Sequence, residues 1–348
     1  MNQIRMKAVP DCILCKIPGK PLYQKLNDRL LGVLGEFNIK RCPACGLLWL
    51  DPRPVEEDIT HCYQSRYFMA KEMSTSRNES MKPQKMARID SIKRNFTYGY
   101  FRYTHLVDNR FYAFLGRILG VFPLVRSWAT YGADERIPRY KTGQDGLIID
   151  VGCGRGNYLN FVQGLGWKVQ GVEPSSDAAT IARNRGIPVF HGTLEQAKFP
   201  AASADYIILS HVIEHVPDPA VAIDECFRVL KRQGKLIIHT PNAASFGHKV
   251  FGKDYYALDP PRHLFLFSPG SAAKLLHQSR LKKFHLRTSP KGCRNIYDNS
   301  VVIARTGTTR MGGVECQKGH TLFALRELLL YLIGRPCGEE MEIVAYKE

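Results

Sequence analysis

The chain has 348 residues, 44% of them hydrophobic and 10% aromatic, and its 49 Lys and Arg residues outnumber 32 Asp and Glu residues, giving a formal net charge of +17. This composition supports a sizeable core and excludes wholesale disorder, and the length predicts a main domain with one or two appendages. The charge predicts an anionic partner (nucleic acid, an acidic membrane surface or a phosphorylated substrate) unless it only forms a basic solvated surface.

No export signal is recognisable, because residues 1–7 lack an apolar core. No window reaches the ~18 uninterrupted apolar residues of a spanning helix. The nearest candidate, residues 111–125, is interrupted by Arg117 and Pro123. Six of the ten cysteines are scattered singly, which is unlike a disulfide framework. We therefore expect a cytoplasmic protein, at most peripheral to the inner face of a membrane.

Residues 1–67 contain two Cys-x-x-Cys pairs, the second followed by a glycine that eases a tight turn. Two such knuckles supply four thiolates for a tetrahedral structural Zn²⁺, which would organise a segment too small to build its own core. Redox cysteines are the alternative, but no thioredoxin-like strand–helix turn surrounds them. His61 and Cys62 are not expected to be ligands. The predicted metal ligands are Cys12, Cys15, Cys42 and Cys45.

Residues 68–141 are the most basic part of the chain, with 14 Lys or Arg against 6 Asp or Glu. Within residues 93–131, basic side chains alternate with eleven Phe, Tyr or Trp. Three interpretations fit this pattern: a helical insertion with buried aromatics that covers the active site, an amphipathic surface on anionic lipid, or a stacking surface for single-stranded nucleic acid. The last is the least favoured, because no RNA-recognition motif accompanies it.

Residues 142–290 alternate short apolar runs with helical stretches, which predicts an α/β fold with a doubly wound parallel sheet. Ligands bind such sheets beyond the carboxyl ends of the strands. Residues 291–348 contain a Gly-rich loop, an apolar helix and a last strand. The predicted strands are 147–151, 168–173, 187–191, 204–210, 235–240 and 341–346, and the predicted helices are 158–166, a helix capped by Ser175 or Ser176 that runs to 186, 219–229 and 322–333.

An Asp-x-Gly-x-Gly-x-Gly motif, Asp150, Gly152, Gly154 and Gly156, lies where the first of these strands turns into a helix. Glycines let the backbone turn tightly and approach a ligand without a Cβ in the way. Glu173 ends the second strand, where a carboxylate can accept hydrogen bonds from ribose hydroxyls. A dinucleotide would place its pyrophosphate at the helix N-terminus, normally with Gly-x-Gly-x-x-Gly. An acidic residue here would repel a pyrophosphate but suits the cationic S-adenosylmethionine, which the motif therefore favours.

Three blocks, residues 147–173, 204–219 and 230–242, resemble the class I S-adenosylmethionine-dependent methyltransferases in order and spacing. The resemblance implies a Rossmann-like fold. It also implies that Gly152, Cys153 and Gly154 of the glycine turn line the methionine moiety and that Glu173, at the end of the second strand, holds the ribose. Thr193 and Leu194, after the third strand, would lie near the adenine. Ser210 and His211, at the end of the fourth strand, would face the sulfonium.

Glu214, His215 and His263 are the candidate catalytic residues. Methyl transfer needs alignment and sometimes removal of a proton, and histidine titrates near neutrality. In related small-molecule methyltransferases, including sugar C-methyltransferases, the matching Glu-His pair is close to the substrate, so His215 is our first choice for a base. Alternatively, His215 only orders its loop. Quinone-pathway O-methyltransferases suggest a divalent metal here, but His211 replaces one of their carboxylates and we do not expect one.

The segment from Tyr255 to Ser268 resembles the Pro-x-His-Leu-x-x-Phe-Ser segment of the same family branch, which folds over the pocket, and we expect a substrate cap over about residues 243–268. Tyr255 and Tyr256 would contact the substrate, and Arg262 would bind a phosphate or carboxylate. Alternatively, the aromatic residues pack the cap and Arg262 faces solvent.

The cysteine segment resembles the zinc-ribbon-like module that precedes some sugar and natural-product methyltransferases and packs near their active site. We therefore predict a module at 1–67, a helical insertion at 68–141 and a methyltransferase domain at 142–348. The expected acceptor is small and polar: a sugar, a nucleotide sugar or a lipid-linked glycan. The alternatives are an RNA methyltransferase and a zinc-bearing nucleic-acid-binding protein with a vestigial cofactor fold.

Overall fold

The computed structural model describes residues 4–63, 84–130, 136–139, 145–310 and 314–348. The chain forms two compact units, one of residues 73–208 and one that combines residues 1–72 with residues 209–348. Residues 1–67 group with the C-terminal part.

Five short strands make up the N-terminal segment, and β1 pairs with β5 while β2, β3 and β4 pair in an antiparallel meander. Trp49 is buried in β4, and its indole N–H donates to the carbonyl of Val9 at 2.8 Å. A 3-10 helix over Glu56–Cys62 follows. The strands are β1 (Met6–Lys7), β2 (Lys20–Leu26), β3 (Phe37–Arg41), β4 (Leu48–Leu50) and β5 (Arg53–Pro54).

Helices fill the described part of the predicted insertion: α1 (Gln84–Phe101), α2 (Arg110–Leu119) and α3 (Pro123–Ala129). Residues 68–83, 131–135 and 140–141, which the insertion was also expected to include, lie outside the described residues. The fully buried Tyr103 follows α1; its hydroxyl donates to the Pro138 carbonyl and accepts from the Trp167 indole at 2.7 and 2.8 Å.

A seven-stranded mixed sheet confirms the predicted α/β fold, with strand order β12-β13-β10-β9-β6-β7-β8. Strands β6, β7 and β8 are parallel, and β13 runs antiparallel to both β10 and β12. All predicted strands are present, with β8 shorter and β10 longer than expected. The strands are β6 (Leu147–Val151), β7 (Lys168–Glu173), β8 (Val189–His191), β9 (Ala204–Ser210), β10 (Leu230–Pro241), β12 (Lys283–Ser289) and β13 (Glu340–Tyr346).

Most helices that follow the sheet strands begin with a side-chain cap. Ser175 caps its helix by accepting from the Ala178 N–H, and Asp218 caps another. The predicted apolar helix near the C-terminus is also present. The helices are α4 (Asn157–Gly164), α5 (Ser176–Asn184), α6 (Leu194–Ala197), α7 (Pro219–Val229), α8 (Phe246–Phe251), α9 (Pro269–Gln278), α10 (Cys293–Thr306) and α11 (His320–Leu332).

The predicted cap segment completes the N-terminal sheet. Strand β11 (Phe265–Leu266) pairs antiparallel with β4 and gives a four-stranded sheet of order β11-β4-β3-β2. The Leu50 N–H also donates to the Leu264 carbonyl at 3.0 Å. The cysteine-bearing segment is therefore joined to the cap by backbone hydrogen bonds.

Candidate functional site

The turn between β6 and α4 has the conformation that its glycines allow. Gly152, Gly154 and Gly156 all have positive φ, at +69°, +54° and +74°, which side-chain-bearing residues rarely adopt. A Cβ added to Gly154 would meet no atom within 4 Å. The Gly152 N–H donates to the Val172 carbonyl at 2.7 Å and fixes the turn to β7. The turn is thus rigidly held, with open space beside Gly154.

Glu173, at the end of β7, holds this turn from the other side. One carboxylate oxygen accepts the Gly154 N–H at 2.8 Å and the other accepts the Ser175 N–H at 2.9 Å. The side chain is buried. Each carboxylate oxygen has a second lone pair, so the group that positions the turn can also accept hydrogen bonds from a ribose.

Asp150 is buried next to Glu173. Burial raises the pKa of the Asp150 carboxyl, Arg136 opposes the shift and the charge of Glu173 adds to it, so that the pKa is about 7. Two buried carboxyl groups near one turn favour a cationic ligand over a pyrophosphate. These two carboxyl groups therefore fit the cationic cofactor that the motif predicts.

The other predicted cofactor residues of this unit have structural contacts of their own. Cys153 is buried under the turn, and its Sγ occupies the space that a Cβ at Gly171 would need. Thr193 caps α6 in a reciprocal capping box with Gln196, and Leu194 is buried. Thr193 therefore fixes the turn after β8 whether or not adenine lies there.

In the other unit, Glu214 anchors the loop after β9. One of its oxygens lies 3.2 Å from His211 Nδ1, and the other accepts from the Thr240 hydroxyl at 3.0 Å. Burial opposes ionisation, but the hydrogen bond from His211 and the neighbouring imidazoles lower the pKa of Glu214 to about 2. The Glu214 carbonyl also accepts the N–H groups of Leu264 and Phe265. Glu214 thus positions both the loop and the cap.

His215 is oriented by its Nδ1 atom. This nitrogen lies 2.9 Å from the Arg262 carbonyl oxygen and 2.9 Å from the Tyr63 hydroxyl. A carbonyl can only accept, so Nδ1 carries the hydrogen and Nε2 keeps its lone pair. Burial and the neighbouring His263 lower the pKa of His215 to about 4. The imidazole is therefore neutral at pH 7 with its lone pair on Nε2, but it is a weaker base than the histidine titrating near neutrality that the sequence predicted.

His263 is arranged in the same way and lies beside His215. Its Nδ1 is 2.7 Å from the Ala257 carbonyl, and the two imidazole centroids are 4.7 Å apart. Ligand atoms of Glu214, His215 and His263 all lie within 4.8 Å of one another. Besides base chemistry, this spacing admits a divalent cation, which our reasoning from His211 did not anticipate.

The predicted sulfonium-facing residues, Ser210 and His211, end β9. His211 has a φ of +56° and a half-exposed side chain. Burial opposes its charge, but Glu214 and Glu340, at 3.2 and 3.3 Å, raise the pKa of His211 to about 9. His211 is thus a cation at pH 7, held between two carboxylates.

The structure does not support the substrate contacts predicted for the cap. Arg262 is fully buried and pairs with Asp28 at 2.7 Å and Asp259 at 2.5 Å, so it neither meets a substrate phosphate nor faces solvent. Tyr255 is fully buried, and its hydroxyl donates to Glu339 at 2.8 Å. Tyr256 is only half-buried, and its backbone N–H donates to Ser300. Arg262 and Tyr255 hold the cap to its surroundings.

The four cysteines predicted to bind metal converge. Their sulfur atoms all lie within 4.8 Å of one another, and Cys12 Sγ and Cys45 Sγ are 3.7 Å apart. Thiolates at the usual Zn–S distance of about 2.3 Å in a tetrahedron lie about 3.8 Å apart. The knuckles have matching turns, in which Lys16 and Gly46 both have positive φ and donate N–H groups to the carbonyls of Cys12 and Cys42.

Sequence reasoning missed several residues of this site. Tyr63 contacts His215 across 152 positions of the chain, and Asp28 pairs with Arg262 across 234. Thr240 and Glu340 lie at the ends of neighbouring strands β10 and β13. Their residue types carried no motif, and only the position of Glu340 at the start of the predicted last strand could have drawn attention to it.

Comparison with known proteins finds methyltransferases. Residues 125–285 match the family model described as a methyltransferase domain. The chain is 33% identical over 116 residues to a probable S-adenosylmethionine-dependent methyltransferase of Mycolicibacterium smegmatis (32% of this chain, 44% of that protein). It is 32% identical over 124 residues to a ubiquinone biosynthesis O-methyltransferase of Xanthomonas oryzae pv. oryzae (33% of this chain, 52% of that protein). A solved S-adenosylmethionine-dependent methyltransferase from Archaeoglobus fulgidus is 17% identical, with a TM-score of 0.44 over 64% of this chain and 94% of that one.

Residues 125–285 therefore carry a methyltransferase domain that is similar to those of S-adenosylmethionine-dependent methyltransferases, as the motifs predict. The matched region spans about half of the length of these two curated relatives, and the family model leaves residues 1–124 outside. Within the described residues, no helix combines the length and apolar character required to cross a membrane.

Proposed function

We propose that the protein transfers a methyl group from S-adenosylmethionine to a small polar acceptor, which is a sugar, a nucleotide sugar or a lipid-linked glycan. The observation that carries the proposal is the glycine turn held by Glu173 beside the buried Asp150. Its open space at Gly154 and its two carboxyl groups suit a cationic nucleoside. When bound, S-adenosylmethionine supplies an electrophilic methyl group on a sulfonium.

The cofactor would be held by backbone and carboxylate groups. Glu173 would accept from the ribose while it keeps the Gly154 N–H in place. Asp150 would ionise as the cation binds, because a positive charge nearby lowers its raised pKa. Gly152, Gly154 and Gly156 would let the backbone approach without a steric clash.

His215 would serve the acceptor. With its hydrogen fixed on Nδ1, the imidazole can take a hydroxyl proton at Nε2, and Glu214 and Tyr63 hold the loop and ring in place. Tyr63 follows the cysteine segment directly, so this segment helps to form the acceptor side. The same arrangement is implied by the resemblance to sugar methyltransferases, and it supports that acceptor class.

A structural Zn²⁺ is proposed for the four cysteines. Burial raises the pKa of Cys12 and of Cys45, so four thiolates packed together require a cation to compensate their charge. The ion would stabilise the knuckles and, through β4 and β11, the cap.

Cofactor binding is tested by calorimetric titration of S-adenosylmethionine. Glu173→Gln keeps the shape of the side chain and removes its charge, and we expect it and Asp150→Ala to weaken binding at least about tenfold. Asp205→Asn, which alters a carboxylate in β9 that accepts the Leu147 N–H, is the matched control. Unchanged binding by both test variants would show that the cofactor assignment is wrong.

The base is tested by turnover. A panel of nucleotide sugars, cell-envelope glycans and RNA is incubated with cofactor, and the product is identified by the added mass of one methyl group; methylation of RNA alone would replace the sugar proposal. With the acceptor found, His215→Gln should lower kcat by about 10²–10⁴ without changing cofactor affinity. His277→Ala, at an exposed position of α9, is the control. Loss of activity on treatment with a chelator that leaves the cysteine-bound zinc in place would favour a metal at Glu214, His215 and His263 over base catalysis.

A further inference from the structure

Helix α2 and the turn after it expose an unusual number of large apolar side chains. Phe111 and Phe114 are 64% and 58% exposed, and Ile118 is 49% exposed. Val121 and Phe122 continue the stripe at 60% and 57%. Positions 111, 114, 118, 121 and 122 recur at helical spacing, so within α2 these side chains share one face. A contiguous apolar patch of this kind marks an interaction surface.

The packing of α2 explains why these side chains point outward. Its opposite face carries Ala113 and Gly116, which pack closely on α1: a Cβ on Gly99 would lie 1.9 Å from the Ala113 carbonyl oxygen, and one on Gly116 would lie 2.0 Å from that of Phe96. The helices can approach this closely only through small residues. Rotating α2 to bury its phenylalanines would drive them into α1, so the apolar face is fixed outward.

The charged residues in this stretch of the chain have a single sign. No Asp or Glu occurs between Asp108 and Asp134. Arg110 and Arg117 are exposed. Both lie on α2, on the part of the helix surface next to the apolar stripe. Arginines next to exposed phenylalanines complement anionic lipid headgroups above an acyl boundary. A second copy of the same face would instead bring arginine against arginine.

We propose that α2 is an interfacial helix that docks the protein on an anionic membrane, with Phe111, Phe114 and Ile118 in the acyl boundary and Arg110 and Arg117 at the headgroups. The ten-residue helix is too short to cross a bilayer, so it lies in the plane of the surface. This inference stands apart from the methyl acceptor, because it rests only on the exposed face of α2.

The full-length protein is tested by flotation with vesicles of phosphatidylglycerol and phosphatidylcholine, and with vesicles of phosphatidylcholine alone. We expect binding to the anionic vesicles that falls as salt is raised. The variant Phe111→Ser/Phe114→Ser/Ile118→Ser should bind at least about tenfold more weakly. The variant Arg110→Gln/Arg117→Gln should lose mainly the preference for anionic lipid.

The matched control replaces three exposed apolar residues elsewhere, Phe161→Ser/Val221→Ser/Val250→Ser, and should bind like the parent. Circular dichroism verifies that each variant is folded. The proposal is overturned if the parent does not float with anionic vesicles or if the α2 serine variant floats as well as the parent. It is also overturned if light scattering finds a dimeric parent and a monomeric α2 serine variant, because a second copy then covers this face.

Discussion

The buried ion pair between Asp28 and Arg262 is expected to be among the strongest single contributors to the stability of the unit that contains it. Both side chains are completely buried, and two guanidinium nitrogens of Arg262 meet the two Asp28 oxygens at 2.7 and 2.8 Å. Asp28 also accepts the backbone N–H groups of Leu30, Leu31 and Val33. Asp28→Ala therefore removes one ion pair and three backbone acceptors together.

The magnitude follows from what is left behind. Breaking a buried pair by removal of one partner costs about 3–5 kcal/mol, because the other charge stays buried. Asp259 still compensates part of the charge of Arg262, whereas the three N–H groups each lose an acceptor worth about 1 kcal/mol. We expect the free energy of unfolding to fall by about 3–5 kcal/mol, since these contributions overlap and do not simply add.

The assay is urea denaturation followed by circular dichroism, with S-adenosylmethionine affinity measured on the folded variant at low temperature. The matched control is Asp108→Ala, which removes the exposed ion pair with Arg94 and should change stability far less. Arg262→Met/Asp28→Leu should recover only the part of the loss that comes from the buried charge of Arg262, because the three N–H groups still lack their acceptor and Asp259 loses its partner.

Two results would refute this reasoning. A change below about 1 kcal/mol in Asp28→Ala would mean that the pair adds little beyond an exposed one. An Arg262→Met variant of unchanged stability, but with a raised KM for a phosphorylated acceptor, would restore the substrate-binding role that the sequence suggested.

Three further expectations follow from the charges and the cysteines. Asp150, with its pKa raised to about 7, must lose a proton when it binds a cation. Affinity for S-adenosylmethionine should therefore rise as pH increases to about 7, and this pH dependence should vanish in Asp150→Asn. Titrations in buffers of different ionisation enthalpy would test the proton release. Burial and the charge of Glu339 raise the pKa of Glu327 to about 8. The contribution of Glu327 to stability is therefore fully present below about pH 4.5 and is lost as pH rises through 8. Glu327→Gln should flatten that part of the plot of urea midpoint against pH. Elemental analysis should give about one zinc per chain. We expect Cys42→Ser to lose this zinc and Cys226→Ser, which alters a buried but distant cysteine, to retain it. Less than about half an equivalent in the parent contradicts the zinc proposal.

Local patterns predicted the part of the fold that depends on neighbouring residues. The apolar run of β6 became a strand that is buried on both faces, and the Asp-x-Gly-x-Gly-x-Gly motif became a turn with three positive φ values. The missed elements, β11, β12, α8, α9 and α10, are short or mix polar with apolar residues. Their burial depends on partners far away in the chain, as for β11, which adds an edge to the N-terminal sheet.

Within the site, the sequence correctly paired the cysteines in space, because each knuckle is a local turn. It assigned Arg262 to a ligand because Arg262 lies in the segment that resembles the cap and a guanidinium suits a phosphate or carboxylate. Its partner Asp28 lies 234 positions away. Tyr63, which contacts His215, was missed for the same reason.

By itself, then, the sequence determined the α/β class, the glycine turn, its acidic neighbours and the two cysteine knuckles, since each of these follows from spacing along a few residues. Tertiary structure alone decided that Arg262 is a buried clamp, that His215 directs Nδ1 at the Arg262 carbonyl, and that α2 turns its phenylalanines outward. Each of these outcomes depends on which distant backbone or carboxylate lies within a few ångströms, and spacing along the chain carries no record of that.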